Sequence, residues 1–231
     1  MAQRIPRWRI AFWGAWVLAG IVGTVLQYLG TASGWFGPIS ADGDGWIAIV
    51  VSSAILAFPQ YIVLRLLIGH SSLAGAMWIP VSAVAWLAAD LAIYAPAERI
   101  TNALLSVGAI QALMQDGFPF FTVIFVVEDI TLFAVLGLAQ GLLLARVFVA
   151  RSAARLWFVA NLGAAVVVGI FSQIQINGVS NQTNPTAVDL WLPIAIFGAL
   201  YAAVTGIALV ALPRRYSKSA GSKSNVPSAD E

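Results

Sequence analysis

The sequence predicts an all-α fold, a polytopic membrane helix bundle with about six transmembrane helices as three tandem hairpins, plus one interfacial amphipathic helix. Three observations predict it. First, only 10% of the 231 residues are charged and 60% are hydrophobic, where a soluble domain has about a quarter of its residues charged. With a mean hydropathy of +0.88, such a chain cannot cover a water-facing surface, so lipid is its solvent. Second, apolar runs near the ~20 residues needed to cross a bilayer alternate with short polar connections. Third, the basic residues gather in alternate connections.

Arg4, Arg7 and Arg9 precede an apolar run from Ile10 to Leu29, too long for a signal-peptide core and without a convincing small-residue cleavage site, which makes it the first membrane helix. Trp8, Trp13 and Trp16 at its start match the aromatic belt of a membrane interface, the role expected for most of the nine Trp. Gly30 to Gly45, rich in Gly, Ser and Asp, reads as a loop. Trp46 to Leu67 is the second helix, with Pro59 expected to kink it and Gln60 and Arg65 following. A tight connection containing His70 leads to a third helix from Leu73 to Tyr94, with Pro80 in its first turns and Asp90 near its end.

Pro96 to Asp116 is too polar to span. Ile100, Leu104, Val107 and Met114 recur at a helical period, so this segment is expected to lie on the membrane face as an amphipathic helix. The fourth span is Phe118 to Arg146, and Arg151 to Arg155 is a basic connection. Leu156 to Ile174 is the fifth span, Gln175 to Asp189 a loop, and Leu190 to Leu212 the sixth span, ended by Pro213. Residues 1–216 thus form one transmembrane domain, and 217–231 read as a Ser-rich disordered cytoplasmic tail.

With six spans, Arg4, Arg7, Arg9, Arg65, Arg146, Arg151, Arg155, Arg214, Arg215, Lys218 and Lys223 share one side, and of the 12 Lys and Arg only Arg99 falls on the other. The positive-inside rule then places both termini in the cytoplasm. The bases lie at membrane edges rather than in a patch, so the net charge of +2 does not point to nucleic acid as a partner. The expected partners are the lipid bilayer and a membrane protein or a second copy of the chain.

Each hairpin opens with Trp (Trp13, Trp78, Trp157), and each returns to end in Arg (Arg65, Arg146, Arg214). Gln60 and Gln140 precede the first two of these arginines, a pattern that favours an internal repeat over the shared interfacial preference of Trp and Arg. In Gln60-Tyr-Ile-Val-Leu64-Arg65 and Gly137-Leu-Ala-Gln140 the chain resembles uncharacterised multi-pass bacterial membrane proteins of the cyanobacterial type. Those carry repeated Gly-x-x-Gln-x-x-x-Leu-Arg hairpins, with Trp opening the next helix. Ala57 stands where the first unit should have Gly, and the run from Gln140 to Arg146 is one residue longer than the pattern. The resemblance covers roughly Trp46 to Arg215; it implies a shared fold and carries no activity.

Chemistry has few places to sit. No cysteine is present, His70 is alone, and no Lys precedes Lys218. Thiolate chemistry, a bis-histidine haem and an intramembrane Schiff base are therefore outside this chain's means. No nucleophile–base pair or phosphate-binding loop is evident, so neither an enzyme nor a cofactor is expected. The adjacent acids Glu128 and Asp129 fall inside the fourth span. Each costs roughly 2.5–3.5 kcal/mol near a helix centre, against about 0.3–0.6 returned by each large apolar neighbour. They should therefore face the bundle interior or a partner, where Ser52, Ser53 and Tyr201 reach a similar depth. Glu128, Asp129, Asp90, Ser52, Ser53, Gln60 and Gln140 make up the candidate intramembrane polar site. Two functions compete for it: helix packing in a structural or accessory subunit, favoured because polar residues are so few, or a small proton- or cation-coupled transporter or channel. Gly137-x-x-x-Gly141 and Gly198-x-x-x-Ala202-x-x-x-Gly206 are predicted close-packing faces.

Overall fold

The computed structural model describes residues 6–33, 45–68, 73–105, 120–148, 151–179 and 187–212. Among them every regular element is helical: α1 (Arg7–Ala32), α2 (Gly45–Ile68), the single turn α3 (Leu73–Ala76), α4 (Trp78–Leu105), α5 (Phe120–Phe148), α6 (Arg151–Val179) and α7 (Ala187–Ala211). Five of the six long helices are long and apolar enough to cross a membrane, and α4 carries a shorter apolar stretch from Trp78 to Leu91.

The six long helices close into a ring. Each packs on its sequence neighbour, α1 on α2, α2 on α4, α4 on α5, α5 on α6 and α6 on α7, and α7 returns to α1. The N-terminal halves of α1, α4 and α6 meet the C-terminal halves of α5 and α7, as the bonds from Trp16 to Thr205 and from Trp157 to Gln140 require. Arg7, Arg9, Arg146, Arg151 and Arg155, all near helix ends, therefore flank one end of the ring.

The side-chain distribution suits lipid. Large apolar groups point outward: Leu18, Leu66, Val84, Val159 and Ile207 are each 60–65% exposed. The interior is rich in small residues, with Ala57, Ala89, Ala153, Ala164, Ala165 and Ala202 buried. Small residues let backbones approach where no hydrophobic effect pushes helices together. Both predicted glycine faces do this. A Cβ on Gly198 would sit 2.6 Å from the Gly20 carbonyl oxygen, and one on Gly206 would sit 2.9 Å from Trp16 Cδ1. Gly137 brings α5 against Asn161 and Gly141 brings it against Ala154 of α6.

Three boundaries differ from the sequence reading. The third helix divides at Met77, because Pro80 has no N–H for the Ala76 carbonyl four residues back and its ring would crowd that oxygen. The first helical bond beyond the break runs from Val81 N–H to the Met77 carbonyl at 3.0 Å. Helix α4 then continues through Pro96 to Leu105, so the first half of the expected amphipathic helix is the end of α4, and 106–116 lie outside the described residues. Helix α6 takes in both the basic connection and the start of the expected loop, running from Arg151 to Val179. Helix α2 is continuous through Pro59. His70 and the tail 217–231 also lie outside the described residues.

Candidate functional site

Near the arginine-flanked end, Trp16 of α1, Trp78 of α4 and Trp157 of α6 close into a triangle of indoles. Their ring centroids are 6.0 Å (Trp16–Trp78), 6.0 Å (Trp16–Trp157) and 5.6 Å (Trp78–Trp157) apart, with interplanar angles of 73°, 81° and 71°. This edge-to-face arrangement sets each ring's positive rim against a neighbour's negative face. All three are at most 1% exposed, so these three are core groups rather than the interfacial anchors expected of most of the tryptophans. That description fits Trp46, 52% exposed, and Trp13, 36% exposed.

An indole N–H can only donate, so each buried Trp needs an acceptor. Trp157 Nε1 donates to Gln140 Oε1 at 3.1 Å, and Gln140 Nε2 donates to Ser82 Oγ at 2.8 Å. Ser82 Oγ passes its proton on to the Trp78 carbonyl at 2.7 Å. The direction is forced throughout: the indole must face the amide oxygen, which turns the amide nitrogen to the serine. Trp16 Nε1 donates to Thr205 Oγ1 at 3.1 Å, and that hydroxyl donates to the Tyr201 carbonyl at 2.9 Å. Tyr201 OH donates to Asn161 Oδ1 at 3.0 Å, while Asn161 Nδ2 donates to the Trp157 carbonyl at 2.9 Å. The chain of bonds thus ties α4, α5, α6, α7 and α1.

Three donors stand apart. Trp78 Nε1 and Gln60 Nε2, and Arg9 Nε near the start of α1, are buried without a hydrogen-bond partner among the described residues. Gln60 sits on the wall of a central cavity of ≈20 Å³, whose other polar lining groups are Thr24, Ser53, Ser82, Gln140 and Tyr201. That volume holds about one water molecule, the usual partner of an otherwise unpaired buried donor.

The predicted site residues fall into two groups. Ser53, Gln60 and Gln140 come together in this cavity. Asp90, Asp129 and Ser52 are not among its lining residues. Ser52 Oγ donates to its own helix at the Ile49 carbonyl, and Asp90 and Asp129 are half-buried. The Glu128 side chain lies outside the described residues. Tyr201, expected to serve the acids, is bound to Asn161 instead. Ser82, Asn161 and Thr205 were missed. Ser82 and Asn161 each follow a buried Trp by four residues, and that shared-face spacing was the available signal.

A second and larger space, ≈430 Å³, opens between the C-terminal half of α1 and helices α6 and α7. Thr24, Gln27, Tyr28 and Thr31 of α1 form its polar wall, with Ser172, Phe171, Ile194 and Phe197 opposite. Thr24 and Phe197 line this cleft and the central cavity alike. Comparison with known proteins gives no relative: no family, no curated protein and no solved structure matches the chain.

Proposed function

We propose that the chain is a non-catalytic, multi-pass protein of a bacterial inner membrane, a structural or accessory subunit whose buried polar groups hold a helical ring in shape. The observation that carries this reading is Gln140: both ends of its amide are engaged, on Trp157 and Ser82, so one side chain joins three helices. A group committed in this way is not free to bind and release a solute. The cavity it borders has no acidic or basic lining residue among those described, which supports packing over ion movement through this point.

The repeated hairpins and the likeness to cyanobacterial-type membrane proteins belong to this proposal. Two of the three Trp that open the hairpins, Trp78 and Trp157, stand in the indole triangle, and the first hairpin contributes Trp16 there in place of Trp13. Each hairpin thus supplies one Trp from its first helix, an arrangement in keeping with the proposed repeat. The partner proposed is a membrane protein or a second copy of the chain.

The experiment is proton and cation flux in liposomes, with wild type, Glu128→Gln and Asp129→Asn. The accessory reading expects no flux from any of them, and variants that keep the cellular role, because amides retain most of the hydrogen bonding. Wild-type flux that disappears in Asp129→Asn would overturn it, because an amide cannot be reversibly charged.

A further inference from the structure

We infer that the ≈430 Å³ cleft bounded by α1, α6 and α7 is a binding site for an uncharged amphiphile with a hydroxyl or carbonyl oxygen at one end and an apolar body at the other. The inference stands apart from the accessory role, since a subunit of any function can hold such a ligand.

Size is the first argument: small-molecule sites occupy roughly 300–1,000 Å³ and combine an apolar lining with a few placed polar groups. The second is polarity. Gln27 and Tyr28 make no side-chain hydrogen bond to another described residue. Thr24 and Thr31 donate their hydroxyl protons to the Gly20 and Gln27 carbonyls at 2.8 and 3.0 Å, which leaves their oxygens as acceptors. These four residues recur at spacings of three and four, so α1 turns one polar stripe into the cleft. Phe171, Ile194 and Phe197 face them with apolar surface.

The third argument is charge. Among the described residues, no Asp, Glu, Lys, Arg or His lines the cleft or the cavity it adjoins. A charged headgroup drawn in would lose its hydration without gaining a counter-ion, so the site selects against it. The fourth lies at the inner end. Beyond Thr24 and Phe197, which the two spaces share, Gln60 is 3% exposed and its Nε2 lacks an acceptor. The ligand's oxygen end is therefore assigned to the inner end of the cleft, beside the Thr24 hydroxyl on the side nearest Gln60.

The test is photolabelling of the full chain in nanodiscs with a diazirine-bearing long-chain alcohol, and separately with the matching carboxylate, followed by peptide mapping. The alcohol is expected to label α1 between Thr24 and Thr31, or α7 between Pro193 and Phe197, at least fivefold more than the carboxylate does. Ile194→Trp, which fills the cleft, should abolish that labelling, and Gln27→Leu should lower it at least threefold. Thermal unfolding of each variant establishes that it is folded. Equal labelling by alcohol and carboxylate, labelling confined to the outer surface, or folded Ile194→Trp and Gln27→Leu proteins that label like wild type would each overturn the inference.

Discussion

At the scale of single residues, Gln60 and Gln140 look alike in sequence and differ in the fold. Gln140 accepts from Trp157 and donates to Ser82; Gln60 has an amide nitrogen with no partner among the described residues. Deleting one partner of a buried bond leaves the other unsatisfied, at ~1–3 kcal/mol, whereas removing an orphan has no such penalty. Gln140→Leu should therefore lower the unfolding midpoint in detergent clearly, and Gln60→Leu should change it by less than half as much. Equal losses would mean that Gln60 has a partner as strong as that of Gln140. The sequence placed both glutamines in one candidate polar site, with packing and transport as the competing roles, and the structure gives Gln140 an interhelical bond at each end of its amide. The sequence could not separate them, because the difference depends on what the neighbouring helix presents. For Gln140 the neighbouring helices present Ser82 and Trp157, each placed to meet one end of the amide.

At the scale of helices, glycine decides how closely α1 approaches α7. Gly198 lies against the Gly20 carbonyl, where an added Cβ would come within 2.6 Å of backbone oxygen. Backbone cannot step aside, so Gly198→Ala must separate the two helices, at the ~1–3 kcal/mol typical of overpacking. Gly163 is different: an added Cβ would meet only Val204 Cγ1, at 3.7 Å, and around Gly14 nothing lies within 4 Å. Gly163→Ala and Gly14→Ala should thus hold or raise stability, since glycine inside a helix costs roughly 0.5–1 kcal/mol relative to alanine. Thermal melts of the three variants check the contrast, and a stable Gly198→Ala protein would refute the close approach. The Gly-x-x-x spacing made the two packing faces legible. The end of α4 was not legible, because Pro96 suggests a boundary by local rules and the helix passes through it.

At the scale of the molecule, the six long helices place both ends of the ring's chain on one side if all six cross the bilayer. The positive-inside rule applied to the basic residues proposes the cytoplasm for that side, an orientation that labelling can test. The chain contains no cysteine, so single substitutions can report the topology. In intact cells, a cysteine at the exposed Ser152 should resist a membrane-impermeant thiol reagent, and one at the exposed Ser33 should react. Labelling of Ser152→Cys from outside would refute the orientation.

Composition and periodicity alone settled that the chain is helical and suited to a membrane, because the burial of backbone polar groups in lipid leaves few alternatives and because apolar length is written directly in the residues. They also located two of the close-packing glycine faces, though not Gly20 and Gly23, which stand just as close to a neighbouring backbone. Which polar groups find one another was decided only by the tertiary structure. Trp16, Trp78 and Trp157 lie far apart in the chain, and an indole at a helix start reads as an interfacial anchor until two others stand at 5.6–6.0 Å. Acceptors such as Thr205 and Gln140 become such only when closure of the ring brings α7 to α1 and α5 to α6. Hydrogen bonds act over one contact distance, so their pairing follows from where the helices rest against each other rather than from the order of residues along them.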